Sequence, residues 1–167
     1  MPLTPFHWSV VLFGFILFDV LYLPALIISS VLMDLEPFYY MFIAPRSDGV
    51  LHGFFHTYIG VTLIAIVVAL LLIKYRKHVD SFMNVFKVKQ PQNKISNKLI
   101  LVSSLLAAWS HVLLDSFMHA DLQPFWPVTT ANPFLHLVNV SNIYLFTGIG
   151  LLATFALLVV RLIKTKC

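Results

Sequence analysis

The segments from Gly60 to Ile73 and from Leu99 to Leu114 contain no Asp, Glu, Lys or Arg. Soluble helical cores are broken by charge every few residues, and these segments are not. Two more apolar blocks flank them, at about Trp8–Met33 and Asn142–Ile163. Crossing the hydrocarbon core takes roughly 20 apolar residues in a helix. In lipid the backbone must satisfy its own polar groups, which favours helices for spans of this composition. The expected fold is an all-α membrane protein: a helical bundle with three full transmembrane helices at about Phe54–Ile73, Leu99–Met118 and Asn142–Ile163, plus an N-terminal segment. Composition agrees, with 59% apolar and 11% charged residues and a mean hydropathy of +0.88. One membrane-embedded domain, residues 1–167, is expected.

The N-terminal segment admits two forms. As one straight spanning helix, Trp8–Met33 would hold His7 and Asp34 about 40 Å apart, at 1.5 Å per residue. The block is interrupted, however, by Asp19-Val-Leu-Tyr-Leu-Pro24. Proline breaks a helix interior and suits a first turn. A short re-entrant hairpin, about Trp8–Phe18 and Pro24–Met33, returns Asp34 to the side of His7. Such a hairpin is tolerated where protein covers it or water lines it.

Charge sets the orientation. Of eleven Lys and Arg, seven lie between Lys74 and Lys98 and three between Arg161 and Lys166. Excess Lys and Arg marks the cytoplasmic side. The basic loop 74–98 and the C-terminus are therefore expected in the cytoplasm of a multi-pass protein of the cell membrane. The stretch Lys87–Lys94 reads as a solvated linker. Residues 119–141, rich in proline, read as an outer-face loop with a short helix near Phe134–Val138. A Lys- and Arg-free N-terminus belongs outside, which favours the hairpin. It also lacks a basic n-region, so the first block reads as mature sequence. Juxtamembrane basic residues meet lipid headgroups, so membrane lipid is the expected partner and nucleic acid is not. The oligomeric state is open. The single cysteine, Cys167, excludes a disulfide within the chain and a Cys-based zinc site.

Ionisable residues are costly in lipid and persist there when paired, hydrated or bound. Here they are clustered. His52 and His56 stand four apart, as do His111 and Asp115, and then Asp115 and His119. On a helix that spacing puts both side chains on one face. The first pair opens the second block and the others close the third, so all share one membrane boundary. Asp34 and Glu36 lie at the same level, and the hairpin adds His7. His7, Asp34, Glu36, His52, His56, His111 and Asp115, with His119 as a further candidate, make a nitrogen and oxygen set. It suits one zinc, or two divalent ions about 3.5–4 Å apart. A carboxylate outside the ligand set can act as base, Glu36 first and Asp34 second.

Plainer readings exist for each. His7 and His119 can be interfacial side chains. Asp34 and Glu36 can cap a following helix. The paired groups can be hydrogen-bonded without metal or form a proton path. Asp121 reads as a solvated loop acid and Asp19 as a helix cap.

The order Thr4-Pro-Phe-His7, Asp34-Leu-Glu36-Pro37, His52-Gly-Phe-Phe-His56-Thr57, Ser110-His-Val-Leu-Leu-Asp115 and Pro124-Phe-Trp-Pro127 resembles the YdjM-type, LexA-regulated family of membrane-bound metal-dependent hydrolases. The likeness covers roughly residues 4–128. Departures mark a divergent member: Met33 stands before Asp34, Glu36 replaces a second Asp, Pro37 replaces a His, and Gly53-Phe54 replaces Arg-Gly. The resemblance implies hydrolysis. A remoter similarity to zinc-dependent phospholipase C-like helical enzymes implies a phosphoester. A site at headgroup level suits a lipid or lipid-linked substrate. Two other functions compete: an oligomeric transporter or proton relay, and a structural membrane protein with a helix-clamping metal. Polar groups gathered at one boundary favour hydrolysis.

Overall fold

A computed structural model describes residues 7–9, 21–85 and 95–164, with side chains as far as Ala156. Among the described residues, 7–9 are helical, six bounded helices and two 3-10 turns follow, and no strand occurs. Helix α1, Leu23–Ser29, starts where Pro24 fits its first turn. A 3-10 turn, Leu32–Asp34, leads into α2, Leu35–Phe42. A second 3-10 turn, Phe54–His56, precedes α3, Tyr58–Lys74. Helix α4 is Arg76–Val85, α5 is Asn97–Ser116 and α6 is Val140–Lys164.

Helix α3 begins later than the apolar block does. Thr57 caps it, accepting from the Gly60 N–H at 2.9 Å, and its hydroxyl donates to the Phe54 carbonyl. That carbonyl occupies the space a Cβ on Gly60 would need, so only glycine lets the turn fold over the helix start. The Tyr58 N–H is taken by the carbonyl of Pro124 at 2.9 Å. These contacts keep His52 and His56 off the helix, contrary to the expected shared helical face.

The centre of the bundle is α5, packed against α1 and α3. Its buried side carries Ser103, Ser104, Ala107 and Ala108, all fully buried. Small residues let helix backbones approach closely, which matters in lipid because burial of apolar surface gives no net drive there. Near one end Tyr22, Ala25, Val68, Ala69, Leu72, Ile95 and Ile100 form one cluster. Near the other, Met33, Val61, Ala65, Ala108, Val112 and Leu122 form a second. Leu63, Val67 and Leu70 of α3 and Leu106 and Leu113 of α5 face outward, as lipid-contacting residues do.

Two segments are long and apolar enough to cross a membrane, Leu23–Phe42 and Asn97–Ser116, with a third if α3 and α4 count as one span bent by 81°. Of the three full spans the sequence expects, Leu99–Met118 corresponds to Asn97–Ser116, whereas Phe54–Ile73 passes only together with α4, and α6 as far as Ala156 is a shorter apolar helix. The difference arises at α3, whose 17 residues stop at Tyr75 before the chain turns into α4. Part of the expected basic loop is thus helical; Lys87–Lys94 lies outside the described residues.

The two ends of the first apolar block meet. His7 lies 3.3 Å from Asp115, and Asp34 lies 3.4 Å from His111 on the same helix end. Tyr22 stands at the opposite end. Its N–H donates to Ser103 Oγ at 2.9 Å, and its hydroxyl donates to Asp80 of α4 at 2.9 Å. Asp80 also faces Arg76, whose guanidinium donates to the Ile95 carbonyl. A single straight helix cannot place both His7 and Asp34 at one end. Asp19 and residues 10–20 lie outside the described residues. Residues 133–138 form turns rather than the expected short helix, with His136 in the left-handed region at φ 60°.

Close approach at the small stripe makes a size test. Ala108→Leu is expected to destabilise the protein by ~1–3 kcal/mol through overpacking. Leu106→Ala on the outward face should stay within about 0.5 kcal/mol. Thermal unfolding in detergent distinguishes them, and equal effects would contradict the packing order.

Candidate metal centre

One helical turn of α5 joins His111 to Asp115. His111 Nε2 stands 3.1 Å from Asp115 Oδ2, with both residues buried. The other ring nitrogen, Nδ1, lies 2.7 Å from the Ser30 carbonyl just after α1. A carbonyl can only accept, so Nδ1 carries the proton and donates it. Nε2 points at Asp115 and at Asp34 Oδ1, 3.4 Å away. Asp34 occupies the N-cap position of α2 but makes no side-chain cap bond.

His56 is held in the same way. Its Nδ1 is 3.0 Å from Glu36 Oε2, and its Nε2 points to Asp115 Oδ2 at 4.0 Å. Glu36 also accepts from the N–H groups of Gly53 and Phe55. Three such contacts tie Glu36 to the chain around His56. Burial pushes the His56 imidazole below its usual pKa despite the opposing Glu36 bond, so it is neutral at pH 7.

His7 completes one side. Its ring stacks on His111 at 3.9 Å between centroids, and its Nε2 faces Asp115 Oδ1. His119 lies just past the end of α5, with Nε2 4.0 Å from the same oxygen. Burial lowers its pKa to about 4. His52 sits in extended chain, its ring 4.8 Å from that of His56 and 4.3 Å from that of His119. Both oxygens of Asp121 are 3.0 Å from His52 Nδ1. Burial works against ionisation of Asp121. The N–H groups of Leu51 and His52 and the His52 ring outweigh it and bring its pKa to about 2.

All eight sequence candidates therefore come together, although by different means than helical spacing alone. One set, Asp34, His56, His111 and Asp115, offers ligand atoms all within 4.8 Å of one another; a second is His52, His119 and Asp121. Asp121, read as a solvated acid, belongs to this neighbourhood. Its signal was its place two residues beyond His119. Glu36, the expected base, has its oxygens on His56 and two backbone N–H groups.

The model of the YdjM inner membrane protein family matches residues 9–166. The chain belongs to that family. No curated protein and no solved structure matches it. The family description fits the apolar helices of a membrane protein, and the buried groups of this YdjM family member can hold a metal ion.

The donor set itself tests that fit. Both nitrogens of His7, Nε2 of His56, His111 and His119, and Oδ1 of Asp115 are buried without a hydrogen-bond partner. Leaving a buried polar atom unpaired costs about 1–3 kcal/mol. A cation among them would satisfy these atoms together. Imidazole nitrogens and carboxylate oxygens are the ligand types for zinc and similar divalent ions.

Glu36 can be displaced without touching a ligand. A Cβ on Gly53 would lie 2.5 Å from Glu36 Oε1. Gly53→Ala is therefore expected to push Glu36 off His56 and weaken metal affinity by about 10–100-fold, as loss of an orienting partner does. Competition against a chromophoric chelator measures this. Unchanged affinity would remove Glu36 from the centre.

Proposed function

We propose that this YdjM-family protein is a metal-dependent hydrolase whose site lies at the outer membrane boundary. Its substrate would be an ester or phosphoester of a lipid or lipid-linked molecule. The observation that carries this reading is the inward aim of His56 and His111. Each has Nδ1 tied to a fixed acceptor and Nε2 unpartnered among two carboxylates. That is how histidine ligands are oriented in metal sites.

His56, His111 and Asp115 would hold the ion and leave a fourth position open beside Asp34, with zinc the best match to such ligands. When bound, a divalent ion lowers the pKa of a water to about 7 and polarises an ester or phosphoryl oxygen. The chain supplies the rest. Glu36 and the Ser30 carbonyl fix the imidazoles. Asp34, at 26% exposure against 3% for Asp115, is the more accessible carboxylate and can accept a proton from an attacking water. Leu35, Phe38 and Phe42 of α2 and Ile43 just after it are exposed, and Phe54, Phe55 and Trp126 are exposed in the neighbouring loops. Exposed aromatics suit the headgroup level and an acyl-bearing substrate.

Sidedness follows from charge. The site is at the end remote from Tyr22, Arg76 and Asp80, where the basic segment begins. With that segment and the C-terminus in the cytoplasm, the site lies outside. The fold in this reading is one membrane-embedded domain, with a re-entrant hairpin before three crossings. Transport is less favoured because the two apolar clusters of the interior separate the histidine end from the Tyr22 end. A helix-clamping role would leave no open coordination position.

Metal content of the purified chain tests the reading. The protein should retain metal through dialysis, and His56→Ala and Asp115→Ala should lose it. Equal metal in all three preparations, or none, would end the proposal. Against lipid phosphoesters, Asp34→Asn should lower turnover by about 10²–10⁴, the usual contribution of a general base. With Cys167 replaced by Ser, a cysteine at Val128, 87% exposed, should react with an impermeant reagent added outside.

A further inference from the structure

We propose that the centre takes two divalent ions, the second held by His52, His119 and Asp121, with Asp115 lying between the pair. This rests on the metal reading above and assigns a second position within it. The two ligand sets share no residue. Asp115 joins them. Its Oδ2 faces His111 and His56, whereas its Oδ1 faces His7 and His119. A carboxylate whose two oxygens address separate imidazole groups is placed to bridge two cations. One ion among Asp34, His56, His111 and Asp115 Oδ2 would still leave Asp115 Oδ1 and His119 Nε2 buried and unpartnered.

The second set has the local geometry of a site. Asp121 is locked in place, because its Oδ2 accepts the N–H groups of Leu51 and His52 at 2.9 and 3.1 Å. Its Oδ1 lies 3.0 Å from His52 Nδ1. Two ligands of one tetrahedral zinc, at about 2.0–2.2 Å each, stand roughly 3.3 Å apart. The His52 and His119 rings are adjacent, and neither is widely exposed.

Charge argues in the same direction. Asp34, Glu36, Asp115 and Asp121 bring four carboxylates to the centre, a formal charge of −4 when all are ionised and the imidazoles serve as neutral ligands. One divalent ion leaves −2 at a membrane boundary, and two ions neutralise the set. Paired cations also sharpen the substrate class. They stabilise both the attacking and the leaving oxygen of a phosphoryl transfer, so a phosphoester is favoured over a carboxylic ester.

The count of bound zinc decides. The full-length protein, loaded with Zn²⁺ in detergent and dialysed, should hold two ions per chain, and His119→Ala and Asp121→Asn should each hold one. Asp121→Asn keeps nearly the same shape, which guards against a folding failure of the histidine variant. Loaded with Mn²⁺, the unmodified protein should give the spin-coupled resonance of two neighbouring ions. One zinc per chain with an isolated-ion manganese spectrum would overturn the second position and leave the hydrolase reading standing. No retained zinc would overturn both.

Discussion

Asp115 is a carboxylate with 2% exposure at the end of a helix whose middle is free of charge. An ionised group in that place must be surrounded by compensating groups or the bundle does not hold together. Four imidazoles answer it, from the N-terminal segment, the turn before α3, its own helix and the loop beyond. Each of those segments has to reach the same end of the bundle. The placing of His7 and Asp34 at one end, the small stripe on α5 and the late start of α3 are all conditions for that meeting. The site and the fold are one problem in this molecule.

The same logic explains which groups stand behind the imidazoles. Nδ1 of His111 lies on a backbone carbonyl, and Nδ1 of His56 on the Glu36 carboxylate. A ring pinned at one nitrogen has a defined tautomer and direction at the other. The acids nearest the basic end do different work. Asp80 accepts from Tyr22 and pairs with Arg76, closing the opposite end of the bundle.

Much of this was legible in the chain. The helical class, the shared level of the histidines and the approach of His7 to Asp34 follow from block lengths, charge bias and Pro24. His111 and Asp115 were readable from spacing because they lie on one helix. Spacing puts His52 and His56 on one face of an α-helix, whereas His52 lies outside any helix and His56 ends a 3-10 turn, since the cap at Thr57 and the close approach at Gly60 are tertiary choices that periodicity does not report. The partner of Glu36 was hidden for a similar reason. Nothing local says that its oxygens will meet an imidazole twenty residues on. Asp121 looked like an ordinary loop acid because its partners, Leu51 and His52, are remote in sequence.

The loop after α5 is fastened at a few points only. Asp121 holds Leu51 and His52, Pro124 receives the first N–H of α3, and Asn132 donates to the carbonyls of Ser116 and His119. Between the last two anchors, Val128 to Ala131 project into the surroundings. Drift and length change among relatives should therefore concentrate at 128–131, while 121, 124 and 132 stay fixed. Selection would see this loop as a hinge-pinned cover whose rim is free to adapt to whatever approaches it.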